Sequence, residues 1–529
     1  MKLLDDVRMY AGFARALGPY LRHTVTLDEA RAIVRGRLAE RGELFLRTAG
    51  RGIYGHPTSP YLPLLRRAGC ELGDLQRSVR TRGLEDTLRA LRDGGVVVGF
   101  DQFKGRAPIV VDGVEHRVKA HDFDNPFAAR HLESTTGGST GAGTRIAYDL
   151  RHLTETTANR VISHTALGLD GLPTALWRPI LPASSGLMGI VRSAKTGTMP
   201  RRWFTPVAGG ELRLPLKYRL AMTYVLGTLR ARGYRPPRPE PVPLDRADVV
   251  ARWARDTARS EGRCVVRTSV SMALRVALAA TERGWDLTGV TFSGANEPPT
   301  EAKVRGITRT GASYVTRYGM SEGGAMGPPC TRPADATDVH LCEDVWALIL
   351  NPHRIEGAGA AVDAFCFTSL LPTAPKLMLN VETDDYGIVE TRSCGCPLEE
   401  AGWRTHLRQI RSYKKLTGEG MTLVGNDMLR VLEEHLPARF GGSALDYQLR
   451  EEEDERGFTR LTLVVSPRVR VDDEAAVLQA LHEGIARGGP GAALTGAVWA
   501  QAGSVRLERS EPVWTEAGKL MPFRRVRAA

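Results

Sequence analysis

Apolar and polar positions alternate at two spacings along the chain, which separates predicted helices from predicted strands. The pattern predicts a helical entry over residues 1–130, with a helix over Asp86–Arg92 followed by a strand at Val96–Val98. It predicts further helices over Val265–Ala280 and Glu301–Gly306. Gly289–Phe292 has the apolar pattern of a strand that ends in a turn.

In the last quarter of the chain a predicted strand is again followed by a predicted helix. Leu461–Val465 is predicted to form a strand and Asp473–Arg487 an amphipathic helix. Strands that alternate with helices indicate an α/β fold. Arg235–Pro243 is too rich in proline for a helix or a sheet and is expected to be a surface excursion. A boundary near residue 410 would give a large domain over 1–410 and a small one over 411–529.

Composition adds limits on size and partners. A chain of 529 residues is long enough for two or three packed units. Its 42% hydrophobic and 25% charged residues are typical of globular proteins and argue against wholesale disorder. With 72 basic and 60 acidic residues the net charge is +12, which favours phosphate-bearing or acidic partners. Because no aromatic-basic platform or DNA-reading motif accompanies this charge, nucleotide-sized anions are favoured and no nucleic acid partner is expected.

The termini and the cysteines bear on location. Met1–Asp6 lacks the basic and then apolar order of a signal peptide, and no stretch reaches the roughly 20 apolar residues of a membrane span. Seven cysteines, an odd number in a long chain, do not suggest a disulfide scaffold. The expected location is therefore the cytoplasm.

A loop rich in glycine and hydroxyl residues runs from Ser134 to Arg145. Small residues let the backbone approach an anion, and N–H and O–H donors can surround a polyphosphate. The loop lacks the Gly-Lys-Ser/Thr ending of the Walker-type loop, and a solvated linker has a similar composition. Its candidate phosphate-binding residues are Ser134, Thr135, Thr136, Gly137, Gly138, Ser139, Thr140 and Gly141.

Further segments with candidate chemistry follow in order. The sequence contains Ser293-Gly294-Ala295-Asn296-Glu297-Pro298, then Tyr318-Gly319-Met320-Ser321-Glu322, then Val381–Gly387, then Gln409–Leu416, and finally Trp514–Lys519. Taken singly, each has an ordinary explanation: a turn after a strand, an exposed glutamate, a β-turn aspartate, a solvated basic linker or a basic tail.

In residue type, order and spacing these segments resemble the motifs of the adenylate-forming (ANL) ligase superfamily, and the resemblance covers residues 134 to 519. It implies a large N-terminal adenylate-forming domain and a small, mobile α+β C-terminal domain, with ATP between them. In such ligases ATP and Mg²⁺ activate a carboxylic acid as an acyl-adenylate, which a second nucleophile then attacks.

The resemblance also implies residue roles. Ser293, Gly294, Ala295, Asn296 and Glu297 would line the adenine pocket. Tyr318 would pack on the adenine, Gly319 and Met320 would border it, Ser321 would contact the α-phosphate, and Glu322 would hold Mg²⁺, which prefers carboxylate oxygens.

Other roles concern the ribose, the hinge and the reaction itself. Asp385, or alternatively Asp384, would accept hydrogen bonds from the ribose hydroxyls, with Arg411 beside it. Ser412–Lys415 would be the hinge, although the acidic pair of relatives is missing. Lys519 would insert into the active site for adenylation.

Details resemble the phenylacetate–CoA ligase-like branch in particular. Thr144 stands where many relatives have lysine, His340–Asp344 matches a His-x-x-Glu-Asp pattern, and Tyr447–Leu449 fits the small domain. In some relatives of this branch a structural zinc is held by a set that corresponds here to Cys330, His340, Cys394 and Cys396. Free thiols are the alternative, since Cys342 and Cys366 show that the chain has others.

The function implied is therefore acid activation followed by transfer to coenzyme A, which the positive charge also favours. One alternative is transfer to the thiol of an acidic carrier protein, to an amine or to another nucleophile. An alternative of another class is an inactive nucleotide-binding scaffold, against which Glu322 and Lys519 argue. The acid is not identified: an aromatic content of 6% gives no special indication of an aryl acid. His164 is a candidate pocket residue, with a surface or core histidine as the more ordinary explanation.

Overall fold

The computed structural model describes most of the chain. The described residues are 2–129, 132–135, 145–181, 183–206, 216–295, 299–320, 322–354, 361–412, 417–418, 421–422, 426–453, 459–486, 505–514, 518 and 520–525. Within them, no helix has the length and apolar character that crossing a membrane requires.

The N-terminal part is helical, as the sequence predicts. Its α-helices are α1 (Lys2–Leu21), α2 (Leu27–Ala39), α3 (Arg41–Ala49), α4 (Leu62–Arg67), α5 (Leu72–Arg82), α6 (Leu84–Asp93) and α7 (Phe100–Phe103), with a π-helical turn at Gly50–Tyr54. Thr26 caps α2 in a reciprocal capping box with Glu29, which satisfies free N–H groups of the first turn. The hairpin of β1 (Ile109–Val111) and β2 (Val114–His116) and a 3-10 turn at Ala120–Phe123 follow.

A parallel sheet of six strands forms the centre of the molecule. Its strands are β5 (Thr174–Trp177), β6 (Arg202–Thr205), β7 (Pro239–Pro241), β8 (Cys264–Thr268), β9 (Val290–Gly294) and β10 (Ser313–Val315). They lie in the order β10-β9-β8-β5-β6-β7, so all carboxyl ends share one edge. The helices in this part of the chain are α8 (Leu150–Glu155), α9 (Thr157–Ala166), α10 (Ser185–Lys195), α11 (Leu216–Ala231), α12 (Ala247–Glu261), α13 (Val270–Glu282) and α14 (Glu301–Thr308), with a 3-10 turn at Leu244–Arg246.

Antiparallel strands follow the parallel sheet. A hairpin of β11 (Tyr318–Met320) and β12 (Gly324–Gly327) leads into a sheet of β13 (Val339–His340), β14 (Trp346–Arg354), β15 (Ala361–Ser369), β16 (Val381–Thr391) and β17 (Thr405–Ser412), in the order β13-β17-β16-β15-β14. The short helix α15 (Pro397–Glu400) precedes β17. Earlier in the chain, β3 (Leu132–Thr135) and β4 (Arg145–Tyr148) pair as a separate hairpin.

The C-terminal elements form a small α+β unit. They begin with the hairpin β18 (Thr417–Gly418) and β19 (Met421–Thr422), and continue with α16 (Asn426–Arg430), a π-helical turn at Val431–His435 and α17 (Leu436–Phe440). The strands β20 (Tyr447–Glu453), β21 (Thr459–Val465), β22 (Val505–Arg509) and β23 (Phe523–Arg525) form a sheet in the order β22-β21-β20-β23, with α18 (Glu474–Ala486) between β21 and β22. The domain boundary near residue 410 stays a prediction.

The α/β fold class is confirmed, and so are the predicted helices at Asp86–Arg92 and Glu301–Gly306 and the strands at Gly289–Phe292 and Leu461–Val465. The predicted helix over Asp473–Arg487 is α18, whose described residues end at Ala486.

Three local predictions are wrong. The predicted helix over Val265–Ala280 is wrong in its first part: Cys264–Thr268 forms β8, because this run is fully buried in the sheet, and helix α13 starts only after the Ser269 cap. Val96–Val98 contributes only an isolated bridge from Val98 to Val381. Pro239–Pro241 does join the sheet, at its outer edge, where proline's missing N–H breaks no ladder.

A buried ion pair joins α14 to the π-helical turn of the C-terminal unit. Lys303 Nζ lies 2.9 Å from Glu433 Oε1, and the two side chains are only 2% and 1% exposed. Thr300 Oγ1 also donates to Glu433, and Arg305 pairs with Glu434 at the surface. A charge buried in this way is tolerated only while its partner remains.

We therefore expect Lys303→Met to lower the free energy of unfolding by about 3–5 kcal/mol, because it leaves the Glu433 carboxylate buried and unpaired. Denaturant unfolding of the variant measures this loss. The exposed pair Arg439–Glu483 is the matched control, and Arg439→Met should cost less than about 1 kcal/mol. Equal losses in both variants would contradict the role given to the buried pair, and Lys303→Met with Glu433→Leu should recover most of the loss.

Candidate functional site

The Tyr-Gly motif lies on the β11–β12 hairpin, directly after the parallel sheet. Tyr318, Gly319 and Met320 form β11, and Glu322 follows in the turn. A Cβ atom on Gly319 would lie 2.5 Å from the carbonyl oxygen of Gly324 on the partner strand. Glycine is therefore required here by the hairpin backbone, a reason that the sequence interpretation did not include.

Tyr318 connects this hairpin to the antiparallel sheet. Its hydroxyl donates to Asp385 Oδ2 over 2.7 Å, although the residues are 67 positions apart. Burial first, and then the charge of Asp385, raise the pKa of Tyr318 well above its usual value. The phenol therefore stays protonated and acts as the donor, and the Tyr-Gly motif and the aspartate motif meet.

Arg411 lies on the strand next to the aspartate motif. On β16 and β17 the register pairs Asp385 with Ser412 and Tyr386 with Arg411. The backbone of Arg411 is thus one position away from Asp385, but its side chain shares the face of Tyr386, opposite to that of Asp385. Asp384, the alternative ribose residue, is 8% exposed and has its side chain on the opposite face from Asp385. Because Tyr318 contacts Asp385, Asp385 is favoured over Asp384.

Glu322 is buried, and its partner is a lysine that the sequence interpretation missed. Lys104 Nζ forms an ion pair with Glu322 Oε1, with side-chain exposures of 10% and 7%. The ammonium compensates the carboxylate, and the contact is on Oε1, which leaves Oε2 as the oxygen suited to a hard cation such as Mg²⁺. No sequence signal identified Lys104, since it is a single lysine 218 positions before its partner.

The adenine-pocket segment begins at the carboxyl end of β9. Ser293 and Gly294 are the last residues of β9, and Ala295 follows. Ser293 Oγ accepts a hydrogen bond from Arg317 Nη2 over 3.1 Å, so this segment is bonded to the residue just before Tyr318.

Several predicted site residues lie outside the described residues: Thr136, Gly137, Gly138, Ser139, Thr140, Gly141, Thr144, Asn296, Glu297, Ser321, Lys519 and the hinge candidates after Ser412. Ser134 and Thr135 end β3, where Thr135 pairs with Arg145, so the two ends of the candidate phosphate loop are adjacent. On either side of Lys519, the carbonyl of Gly518 accepts from Ser269 Oγ over 3.2 Å, and Leu520 is buried against the parallel sheet.

The predicted cysteine and histidine set comes together. One ligand atom from each of Cys330, His340, Cys394 and Cys396 lies within 4.8 Å of the others. His340 Nδ1 bonds the carbonyl of Trp403 over 2.8 Å, and its Nε2 faces the two thiols of Cys394 and Cys396 at 3.6 and 3.2 Å. A histidine fixed by a backbone carbonyl on one nitrogen presents the other to a metal, so the set fits a closed tetrahedral zinc.

The thiols are close enough to compete for protons. A hydrogen bond from Cys330 is the largest cause that lowers the pKa of Cys396, and the same bond, with burial, raises the pKa of Cys330. Cys330 also lies near Asp338 and His406. Those two are bonded to each other at 2.7 Å, and Arg392 pairs with Asp338, so that carboxylate is already compensated.

Comparisons with known proteins return only distant similarity. No protein-family model and no curated protein matches the chain. Among solved structures, it is similar to the anthranilate CoA ligase AuaEII with anthranoyl-AMP, at 11% identity and TM-score 0.42 over 84% of this chain and 74% of that one. It is also similar to McyG A-PCP with phenylalanyl-adenylate, at 10% identity and TM-score 0.43 over 96% and 93%. A third similar structure is the ATP-bound RpMatB-BxBclM chimera B3, at 12% identity and TM-score 0.44 over 92% of this chain and 91% of that one.

We expect one zinc per chain in protein purified without chelator, as measured by elemental analysis. Cys394→Ser should lose most of this zinc and lower the melting temperature, because metal binding contributes to folding. Cys70→Ser is the matched control, since Cys70 is also a partly buried free thiol but lies outside the set. Metal-free wild-type protein, or equal zinc in the two variants, would contradict the site.

Proposed function

We propose that this protein is an AMP-forming ligase that activates a carboxylic acid with ATP as an acyl-adenylate. The observation that carries the proposal is the hydrogen bond from Tyr318 to Asp385. It brings the two motifs that the sequence assigns to adenine and ribose into contact, with Arg411 on the adjacent strand.

In this proposal the nucleoside lies against the β11–β12 hairpin and β16. The Tyr318 ring packs on the adenine, and the Asp385 carboxylate accepts hydrogen bonds from the vicinal ribose hydroxyls. Ser293, Gly294 and Ala295 form the wall of the adenine pocket, which continues into Asn296 and Glu297.

The phosphates then lie towards Glu322 and the loop after Thr135. Glu322 would hold Mg²⁺, which supplies charge neutralisation for the transferring phosphoryl group when it is bound. Ser321 and the loop hydroxyls and amides donate to the phosphate oxygens. Lys104 pairs with the Glu322 carboxylate and fixes its position.

The first half-reaction joins two anions. A carboxylate oxygen of the acid attacks the α-phosphorus, the new P–O bond forms, and the bond to the bridging oxygen of pyrophosphate breaks. The Lys519 ammonium offsets the repulsion between carboxylate and α-phosphate, and its neighbours Gly518 and Leu520 lie near the carboxyl end of β8.

For the second half-reaction we propose coenzyme A as the acceptor, in a ligase of the phenylacetate–CoA ligase-like branch. The thiolate attacks the acyl carbonyl, and AMP leaves. The net charge of +12 favours this polyphosphate cosubstrate. Transfer to a carrier-protein thiol or an amine is the second candidate, because the residues after Arg411 lack the acidic pair of relatives. The cysteine and histidine set would hold a zinc that stabilises the fold.

Adenylation predicts acid-dependent exchange of labelled pyrophosphate into ATP across a panel of carboxylic acids, with AMP as the product. Lys519→Ala should lower the exchange rate by about 10²–10³-fold, the usual cost of losing one preorganised charge donor. Arg527→Ala, another cation of the same tail, is the control and should exchange at close to the wild-type rate. Release of ADP and phosphate would refute adenylation and indicate an acyl-phosphate instead.

The choice of acceptor is tested with the acid that gives the fastest exchange. Addition of coenzyme A should accelerate AMP release and accumulate the acyl-CoA thioester, which chromatography detects by its mass. If the adenylate forms but coenzyme A leaves its turnover unchanged while an amine or a carrier-protein thiol accelerates it, the second candidate replaces the first.

A further inference from the structure

A cluster of arginines lies beside the proposed nucleotide site, and none of the roles above uses it. Arg267 is in β8, and Arg317 follows β10, so both stand at the carboxyl edge of the parallel sheet. Arg160 on α9 and Arg192 on α10 face them from the helical layer. In open parallel sheets this edge is where ligands bind.

Two serines hold the guanidinium groups in place. Ser193 Oγ accepts from Arg267 Nη1 over 3.1 Å and from Arg160 Nη2 over 3.4 Å, and Ser193 is fully buried. Arg317 Nη2 donates to Ser293 Oγ over 3.1 Å. These hydrogen bonds orient the guanidinium groups, but serine hydroxyls do not neutralise their positive charge.

The charge of the cluster has no internal counter-charge in the part of the chain that the structure describes. There, no ion pair joins Arg160, Arg267 or Arg317 to a carboxylate, and the Nε atoms of Arg160 and Arg317 are buried without a hydrogen-bond partner. Burial and then the charge of Arg317 lower the pKa of Arg267 to about 9. Buried cations in such proximity are costly unless an anion pairs with them.

His164 extends the cluster on the same face of α9, four residues after Arg160. It is 5% exposed, and its Nδ1 has no partner among the described residues. Burial, followed by the charges of Arg267, Arg160 and Arg317, lowers the pKa of His164 well below its usual value. The sequence interpretation favoured an ordinary surface or core histidine; the structure shows His164 buried, with the arginines beside it.

The cluster is separate from the proposed phosphate position. Arg317 bonds Ser293 of the parallel sheet, whereas the next residue, Tyr318, bonds Asp385 of the antiparallel sheet, so the two side chains extend towards different sheets. Glu322, the proposed Mg²⁺ residue, pairs with Lys104 rather than with any of the arginines. In the proposed function the triphosphate lies towards Glu322 and the loop after Thr135, which leaves the cluster for a different anionic group.

The reacting carboxylate is also a poor occupant. It must attack phosphorus with a free lone pair, and several charge-assisted bonds from guanidinium forks would reduce its nucleophilicity. We propose that Arg160, Arg192, Arg267 and Arg317 bind a second anionic group of the acid substrate, a distal carboxylate, phosphonate or phosphate, so that the activated acid is a polyanion. That this anion belongs to the substrate rests on the proposed function. Binding of an anion at the cluster does not depend on turnover.

The test uses pairs of acids that differ in one charged group, added to the full-length protein without ATP. Adipate is compared with hexanoate, and 4-phosphonobutyrate with butyrate, at equal ionic strength, with tripolyphosphate as a separate probe. At least one dianion should raise the melting temperature of the wild-type protein and bind at least about tenfold more tightly than its monoanionic partner. Calorimetry should also show that one dianion binds per protein chain.

Substitutions in the cluster supply the decisive comparison. Without ligand, Arg267→Met and Arg160→Met should melt at or above the wild-type temperature, since each removes a repelling charge, and both should lose the response to the dianion. Arg77→Met, an exposed arginine of α5, should keep it. A dianion shift that survives in both cluster variants, the absence of any preference for dianions, or a response to tripolyphosphate alone would overturn the proposal.

The outcome separates this inference from the proposed function. If pyrophosphate exchange proceeds with hexanoate or butyrate but not with the dianions, adenylation stands and the polyanionic substrate is wrong. If a dianion binds through Arg267 but supports no exchange, the anion site stands and adenylation of that acid is wrong.

Discussion

One hydrogen bond, from the Tyr318 hydroxyl to the Asp385 carboxylate, is the contact on which the rest of the proposed site depends. It attaches the β11–β12 hairpin, which follows the parallel sheet, to β16 of the antiparallel sheet. Because burial raises the pKa of Tyr318, the phenol stays protonated and donates its hydrogen to this carboxylate. On the adjacent strand β17, Ser412 is the residue paired with Asp385. A nucleoside between these groups would be held by contacts that two separate sheets supply.

The Glu322 carboxylate and the arginine cluster differ in whether an opposite charge compensates them. The Glu322 carboxylate is buried with a lysine, Lys104, and therefore carries little net charge as it stands. The arginines around Arg267 have no such partner among the described residues, and their basicity is lowered by burial and mutual repulsion. A compensated carboxylate is suited to hold a cation that arrives with a nucleotide. An uncompensated group of guanidiniums is suited to an anion that the substrate brings.

The sequence predicted the α/β class and the helices α6, α14 and α18, because their apolar spacing reflects burial that the fold indeed provides. It also predicted that Cys330 and His340 would meet Cys394 and Cys396, since ligand residues form recognisable patterns. It assigned Val265–Thr268 to the start of a helix, because periodicity in a short apolar segment does not distinguish a buried strand from a buried helix. Lys104 and the arginines were missed for another reason: single cations, each on a different element, become a site only through tertiary packing.

Asp385, held by Tyr318, is proposed to accept hydrogen bonds from the ribose hydroxyls, and nucleotide affinity tests this role most directly. Dissociation constants for ATP and 2′-deoxy-ATP should be measured calorimetrically on the wild-type protein and on Asp385→Asn. The wild-type protein should bind ATP more tightly by about 1.5–3 kcal/mol, the value of a hydrogen bond to a charged group, and the variant should lose most of this preference. Glu382→Gln, on the same strand but paired with His353, should retain it. An undiminished preference in Asp385→Asn would contradict the account.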